Sequence, residues 1–423
     1  MKAKNLLLAL AAILCVGGCS NDNYEEKLPE EQFIEDEAPV SRNYAIPIEM
    51  SNSQELISNR LHVFSWKLFG QAYKMREDLA EANGHKNVLI SPLSLMVDLS
   101  MLQNGLKGET LKNLQEILGI EDCSVSEINS FMKVLTNGIK DADDQISFHC
   151  ANSFWYNNGL LVNPVYENKL IEFYQAKIQQ TDFYDQETAS LINKWCEENT
   201  NGKIKKIIEA TSPGQDFHLL NTIHFKGGWA KQFPKEMTAK APFHNADGSI
   251  TETEMMNSSI STYYNEKDTY SIARLEFRYG AFNFFMILPK EGYDVNDILT
   301  SINPDDMDRA EKAIVDLSLP RLEIEYGSKK IMDCLLGIDN SFSFAPSDTD
   351  FFIDHDTNIS QIIQKAYLSL YEEGSEVAAV TDITSHIHGD RLKNVTMHLD
   401  RPFIYGIVET STNIPLFIGY YGN

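Results

Sequence analysis

The chain is short of positive charge, of long apolar runs and of paired cysteines, and each shortage removes a class of function. Its 36 Lys and Arg stand against 61 Asp and Glu, a formal net charge of −25. That field repels a polyanion such as nucleic acid at long range, and no basic patch relieves it. The apolar run near the start, Leu6 to Val16, is too short to cross a bilayer. Six Cys occur, widely scattered, with no C-x-x-C pair and no Cys/His spacing of a zinc site. Also missing are the G-x-S-x-G turn, the Gly-rich phosphate and dinucleotide loops, and any internal repeat. No catalytic apparatus is visible, no cofactor is called for, and the chain does not read as an enzyme.

What is present begins with a leader. Lys2 and Lys4 precede the run Leu6 to Val16, so residues 1–18 read as a signal peptide. Val16, Gly17, Gly18 and Cys19 resemble a bacterial lipobox, whose small residues admit the lipoprotein peptidase and whose Cys thiol accepts the lipid. Cys19 is the expected lipidation site, although a plain secretory signal with a chance cysteine has the same appearance. Residues 19–50, with Glu25, Glu26, Glu30, Glu31, Pro29, Pro39 and Pro47 among them, read as a solvated acidic tether. An acidic stretch behind a lipidated Cys resembles the surface-export signal of Bacteroidetes lipoproteins. It implies an outer-membrane lipoprotein at the cell surface or facing the periplasm. With Cys15 lost in the signal, Cys123, Cys150, Cys196 and Cys334 read as buried free thiols, though the export route permits disulfides.

The folded domain is expected from Ser51 to the C-terminus, with no second domain. Ile57, Leu61, Phe64, Leu68 and Ala72 recur at helical spacing from Ser51 to about Ala82. Val88 to Ile90 reads as a short strand, and Ser91 as the N-cap of a helix with Pro92 first in it. A further helix through Leu114 and Leu118 stops at Gly119. Ile146 to Tyr156 alternates as a strand, and Leu191 with Trp195 belongs to a helix ended by Asn201-Gly202. Leu219 to Phe233 reads as a strand, a Gly turn and an aromatic anchor. Near the C-terminus Ala366, Leu368 and Leu370 alternate as a strand with one buried face. Glu372, Glu373 and Gly374 interrupt it, and alternation resumes from Ser375 with Val377, Ala379, Thr381 and Ile383 on a small or apolar face. An ordinary edge strand or loop rich in Ala and Val has the same pattern.

These segments together resemble the serpin family. The run Glu372, Glu373, Gly374, Ser375, Glu376, Val377, Ala378, Ala379 resembles its reactive-loop hinge, which continues through Val380 and Thr381. The Asn87 to Thr110 block, Asn221 with Trp229, Arg401-Pro402-Phe403 and Pro415 to Gly419 occur in the family's order. The resemblance covers about residue 55 onward. It implies an α+β fold, three β-sheets with a cluster of about nine helices, and an exposed reactive loop at about 372–396. It implies a monomer that inhibits a serine or cysteine protease irreversibly, by loop cleavage and insertion of the cut loop into the main sheet. A non-inhibitory serpin acting as a substrate-like or binding module is the alternative.

The resemblance also assigns positions. Ser91, Ser94 and Asn221, with Trp229, match residues beneath the opening sheet, where hydrogen bonds cross strands that must separate. Gln364 stands where the family usually has His, and an amide can still donate and accept. Val377 replaces the usual Ala and needs more room on insertion. Counting from the hinge glycine puts the cleaved bond after His388, and counting back from Arg401 puts it after Arg391. The window is Ile387 to Lys393, with Arg391 suiting a trypsin-like target. His386, His388 and Asp390 have the H-x-H-x-D spacing of a metal-dependent hydrolase, a remote alternative because Arg391 replaces that family's next His. Asp354, Asp356 and Asn358 begin like a calcium loop, but Lys365 stands at its twelfth position.

Overall fold

The computed structural model describes residues 44–79, 87–307, 309–328, 331–353, 355–357, 359, 362–375 and 392–423. All lie in the compact unit Ser41–Asn423. The helices are α1 Asn52–Lys74, α2 Arg76–Leu79, α3 Pro92–Leu102, α4 Gly108–Leu118, α5 Val125–Asp141, α6 Pro164–Tyr174, α7 Glu187–Asn199, α8 Val295–Leu299 and α9 Ile331–Ile338. The strands are β1 Val88–Ile90, β2 Ser147–Asn157, β3 Lys177–Thr181, β4 Phe217–Gly228, β5 Ala239–His244, β6 Ile250–Glu266, β7 Tyr270–Phe277, β8 Phe282–Pro289, β9 Glu311–Pro320, β10 Leu322–Ser328, β11 Gln364–Leu370, β12 Gly374–Ser375, β13 Lys393–His398, β14 Phe403–Glu409 and β15 Pro415–Tyr421.

Local signals set the helix ends. Ser51 caps α1 in a reciprocal box with Gln54, and Ser124 does the same for α5 with Glu127. Ser91 caps α3 with Pro92 behind it, and Gly119 ends α4 at φ +71°. The helix α1 buries the stripe Ile57, Leu61, Phe64, Leu68 and Ala72. In α7 Ile192 and Trp195 turn inward while Leu191 is exposed. The helix α3 is apolar almost all round and lies inside the molecule, as such a helix must.

The strands form three sheets among the described residues. The largest runs β1-β15-β14-β8-β7-β6-β9-β13, with β5 on β6. Its strands β8, β14 and β15 are buried at every residue, so their continuous apolar runs replace alternation. A second sheet runs β12-β4-β2-β3, and β10 pairs with β11 in the third.

The folded body starts earlier than Ser51. The Ile46 amide donates to the Ala142 carbonyl at 2.8 Å, and the Ile48 amide to Ser411 Oγ at 2.9 Å. Ile48 is 8 % exposed and presses on Gly138, where a Cβ would stand 2.8 Å from Ile48 Cγ2. A tether running to Met50 is therefore too long, because an apolar side chain and two amides find partners first. Ile48→Ala is expected to lower stability by about 2 kcal/mol through lost burial, read as a lower unfolding midpoint.

Candidate functional site

Among the described residues the second and third sheets share no ladder. From Phe217 to Lys226, β4 pairs with β2 only, and β11 pairs with β10 only. Among the described residues the two strands are joined at one end, through Tyr371 to Ser375. At the other end Leu219 and Leu220 of β4 and Ile362 and Ile363 before β11 border one cavity. Among the described residues each of the two strands thus keeps an edge without a ladder partner over most of its length, a condition proteins ordinarily avoid.

The joint is dense. Tyr371 and Gly374 exchange both backbone hydrogen bonds, at 2.8 and 3.0 Å, which closes a tight turn over Glu372 and Glu373. The Trp229 amide donates to the Glu373 carbonyl at 2.9 Å, and the Phe233 amide to the Glu372 carbonyl at 3.0 Å. The Trp229 indole donates to the Tyr371 carbonyl at 2.9 Å, and its ring stacks on Phe277 at 4.5 Å. Three successive carbonyls that would be orphaned in a loop are thereby satisfied.

Gly227 and Gly228, expected as a turn, lie inside β4 and pair with Ser375 and Gly374. The reason is clearance. Gly374 sits at φ +134°, and a Cβ there would stand 2.2 Å from the Gly227 carbonyl oxygen. Gly374→Ala is expected to cost about 1–3 kcal/mol in backbone strain and collision. A Tm equal to wild type would show that the turn can relax.

The acidic pair that interrupts the strand is buried. Glu372 is 2 % exposed, and Arg321 Nη2 and Thr238 Oγ1 each reach its Oε1 at 2.6 Å. Arg321 Nε adds a contact at 3.0 Å, and Arg321 also pairs with Glu254. Glu373 pairs with Lys235. Burial pushes the Glu372 carboxyl up, but the Arg321 and Thr238 hydrogen bonds outweigh it and hold it below its ordinary value. Arg321, Thr238 and Lys235 were not among the expected site residues; the lone Arg between the apolar runs of LSLPRLEIE was the available signal. A depressed carboxyl contributes stability above its unfolded value, about 4.3, and loses it as pH falls through the folded value. Glu372→Gln is thus expected to cost about 1–2 kcal/mol at pH 7. The difference from wild type should shrink toward zero as the medium is acidified.

Gln364 clasps Ser91. Its Oε1 accepts from the Ser91 amide at 3.2 Å, and its Nε2 donates to the Ser91 carbonyl at 2.8 Å. Ser91 Oγ donates to the Leu416 carbonyl at 2.7 Å and accepts from the Ser94 amide. This ties the start of β11 to the N-terminus of α3. Asn221 belongs elsewhere: its Nδ2 donates to Asn152 Oδ1 of β2 at 2.7 Å. That bond fastens β4 to β2, and the described contacts do not join Asn221 to Ser91, Ser94 or Gln364.

Glu376, Val377, Ala378, Ala379, Val380, Thr381, His386, Ile387, His388, Asp390 and Arg391 lie outside the described residues, as do Asp354, Asn358 and Cys19. Lys393 is described. It opens β13 opposite Ala313 of β9, with its Nζ 3.1 Å from Glu266. The four cysteines Cys123, Cys150, Cys196 and Cys334 are free thiols, and burial pushes Cys150, Cys196 and Cys334 up to about 12.

Fold and site together define an α+β protein of three sheets, in which the chain leaves from the joint between two of them. The family model for serpins (serine protease inhibitors) matches residues 69–423, and the chain belongs to that family. Human Serpin I2 is 29% identical over 349 residues, covering 79% of this chain and 86% of that protein. An uncharacterized serpin-like protein of Thermococcus kodakarensis is 24% identical across 98% of both. The native-state crystal structure of tengpin, a thermophilic serpin, superposes with TM-score 0.76 at 27% identity, over 90% of this chain and 97% of that one.

Proposed function

We propose that this serpin inhibits a serine protease irreversibly by offering its loop for cleavage and then taking the cut loop into the sheet between β4 and β11. One observation carries the reading: two strands that share no ladder among the described residues, fastened to each other at the end where Ser375 pairs with Gly227. A strand entering there would gain ladder hydrogen bonds on both sides, each with a net worth of about 0.5–1.5 kcal/mol. Ser375, already paired with Gly227 and 1 % exposed, is the first residue of that strand. The small residues Ala378, Ala379 and Thr381 behind it suit a segment that must be stable both outside and inside a sheet.

In the proposed cycle the protease nucleophile attacks the scissile carbonyl and the new amino terminus departs, leaving an ester. Insertion then carries the acylated protease away before water can release it. Because Lys393 already belongs to a ladder, the reading places the cut ahead of it, after Arg391 for a trypsin-like enzyme or after His388 for another preference. The membrane attachment through a lipid on Cys19 is part of the same proposal. It rests on the residues Val16 to Cys19 and puts the inhibitor on an outer-membrane surface.

Incubation with trypsin-like proteases is expected to give an SDS-stable adduct and a released C-terminal fragment beginning at Leu392 or Gly389. A fragment beginning before His386, or turnover without an adduct, would overturn the assignment. Ala379→Arg and Thr381→Pro should be cleaved as substrates without trapping, since one buries an unpaired charge and the other removes a ladder donor. Cys19→Ala should leave the detergent phase on fractionation. Continued membrane attachment would sink the lipid anchor.

A further inference from the structure

At the end of the two sheets remote from the joint lies a cavity of about 110 Å³. Part of its wall is aliphatic, from Leu99 and Leu102 of α3, Leu219 of β4, and Ile359, Ile362 and Ile363 on the approach to β11, and the rest is polar. Set into this wall are three polar groups. Asp98 Oδ1, His218 Nε2 and Thr357 Oγ1 are all shut off from solvent, and none has a hydrogen-bond partner among the described residues. Thr357 is 1 % exposed. Buried polar groups are nearly always satisfied, and three orphans converging on one space point to a missing occupant.

The character of that occupant follows from the charges. The lining contains Asp98 and, beside it in sequence with His218, Asp216, but no Lys or Arg. His355 Nε2 lies 3.1 Å from Asp216, whereas among the described residues no ring nitrogen or cationic side chain pairs with Asp98. The chain's net charge of −25 disfavours an anion further. We propose that this cavity binds a small primary aliphatic ammonium ion, its head on Asp98, His218 and Thr357 and its carbon chain along the leucines and isoleucines. An engineered apolar cavity of about 150 Å³ accepts benzene, so this one accommodates about four or five non-hydrogen atoms.

Asp98 is suited to such a partner. With no cation opposite among the described residues, burial pushes its carboxyl well above the usual carboxylate range and favours the neutral acid. His218, the titratable group facing it from β4, is pushed down to about 4 by burial and stays neutral. An entering ammonium ion lets Asp98 ionise, and the displaced carboxyl proton leaves to solvent. The bound state is then a charge-assisted hydrogen bond. Since β4 and the approach to β11 form opposite parts of the wall, occupancy also ties the lower ends of the two sheets together.

The test uses the full-length chain in detergent at pH 7 with n-butylamine, n-butanol and butyrate as probes. Calorimetry is expected to show saturable binding of butylammonium, at least tenfold tighter than butanol, with butyrate silent. Runs in two buffers of different ionisation enthalpy should report about one proton released per ammonium bound, the carboxyl proton of Asp98. Asp98→Asn, which keeps the shape and removes the charge, should weaken butylammonium at least tenfold, release no proton and leave butanol unchanged. Equal affinity for amine and alcohol, unaltered amine binding by the Asn variant, or no binding by any probe would each overturn the site; the last would mean that water alone fills it. None of these outcomes bears on protease trapping, so the inhibitory reading stands or falls separately.

Discussion

The structure depends on how the turn Tyr371 to Gly374 is held against β4. The carbonyls of Tyr371, Glu372 and Glu373 are taken by Trp229 and Phe233, and the Glu372 carboxylate by Arg321 and Thr238. A turn secured by backbone groups alone would leave a buried carboxylate unpaired, at a cost of several kcal/mol. The ion pair removes that cost and adds a connection to the edge where β9 gives way to β10. Gly374 makes the approach possible, because only a residue without Cβ can lie against the Gly227 carbonyl.

Below this joint the two sheets are held by means other than shared strands. Gln364 grips both peptide groups of Ser91 and fixes β11 to α3, while Asn221 and Asn152 fix β4 to β2. Each sheet is therefore anchored to its own surroundings, and little is required to be broken between them. Unpaired strand edges are a liability in a resting protein. In a protein proposed to accept a further strand they are the source of the driving force.

The lower end is different in kind. Where the upper joint satisfies its buried charge with Arg321, the cavity keeps Asp98 without a cation, and the two carboxyls shift in opposite directions for that reason. The same functional group, a carboxyl, is held as a structural anion at one end and pushed toward the neutral acid at the other. Partner availability, and not depth alone, decides between them.

Much of the fold was legible in the residues. Capping at Ser51 and Ser91, the stop at Gly119, the stripe of α1 and the alternation of β11 all follow from short-range preferences that tertiary packing did not override. The ordered motifs, from Ser91-Pro92 to Arg401-Pro402-Phe403, were enough to indicate the family. What the residues alone could not decide was partnership. Glu372 and Glu373 read only as an interruption because nothing local shows an arginine some fifty positions earlier folding onto Glu372. Gly227 and Gly228 read as a turn because the strand they accommodate arrives from residue 374. Asn221 matched a motif whose bonding partners are set by neighbouring strands, and Asp98 was one more residue on an apolar helix. The sequence by itself determined the elements and their ends, which depend on neighbours a few residues away; the tertiary structure decided which buried polar groups meet and which are left alone, because those distances arise only when remote segments pack.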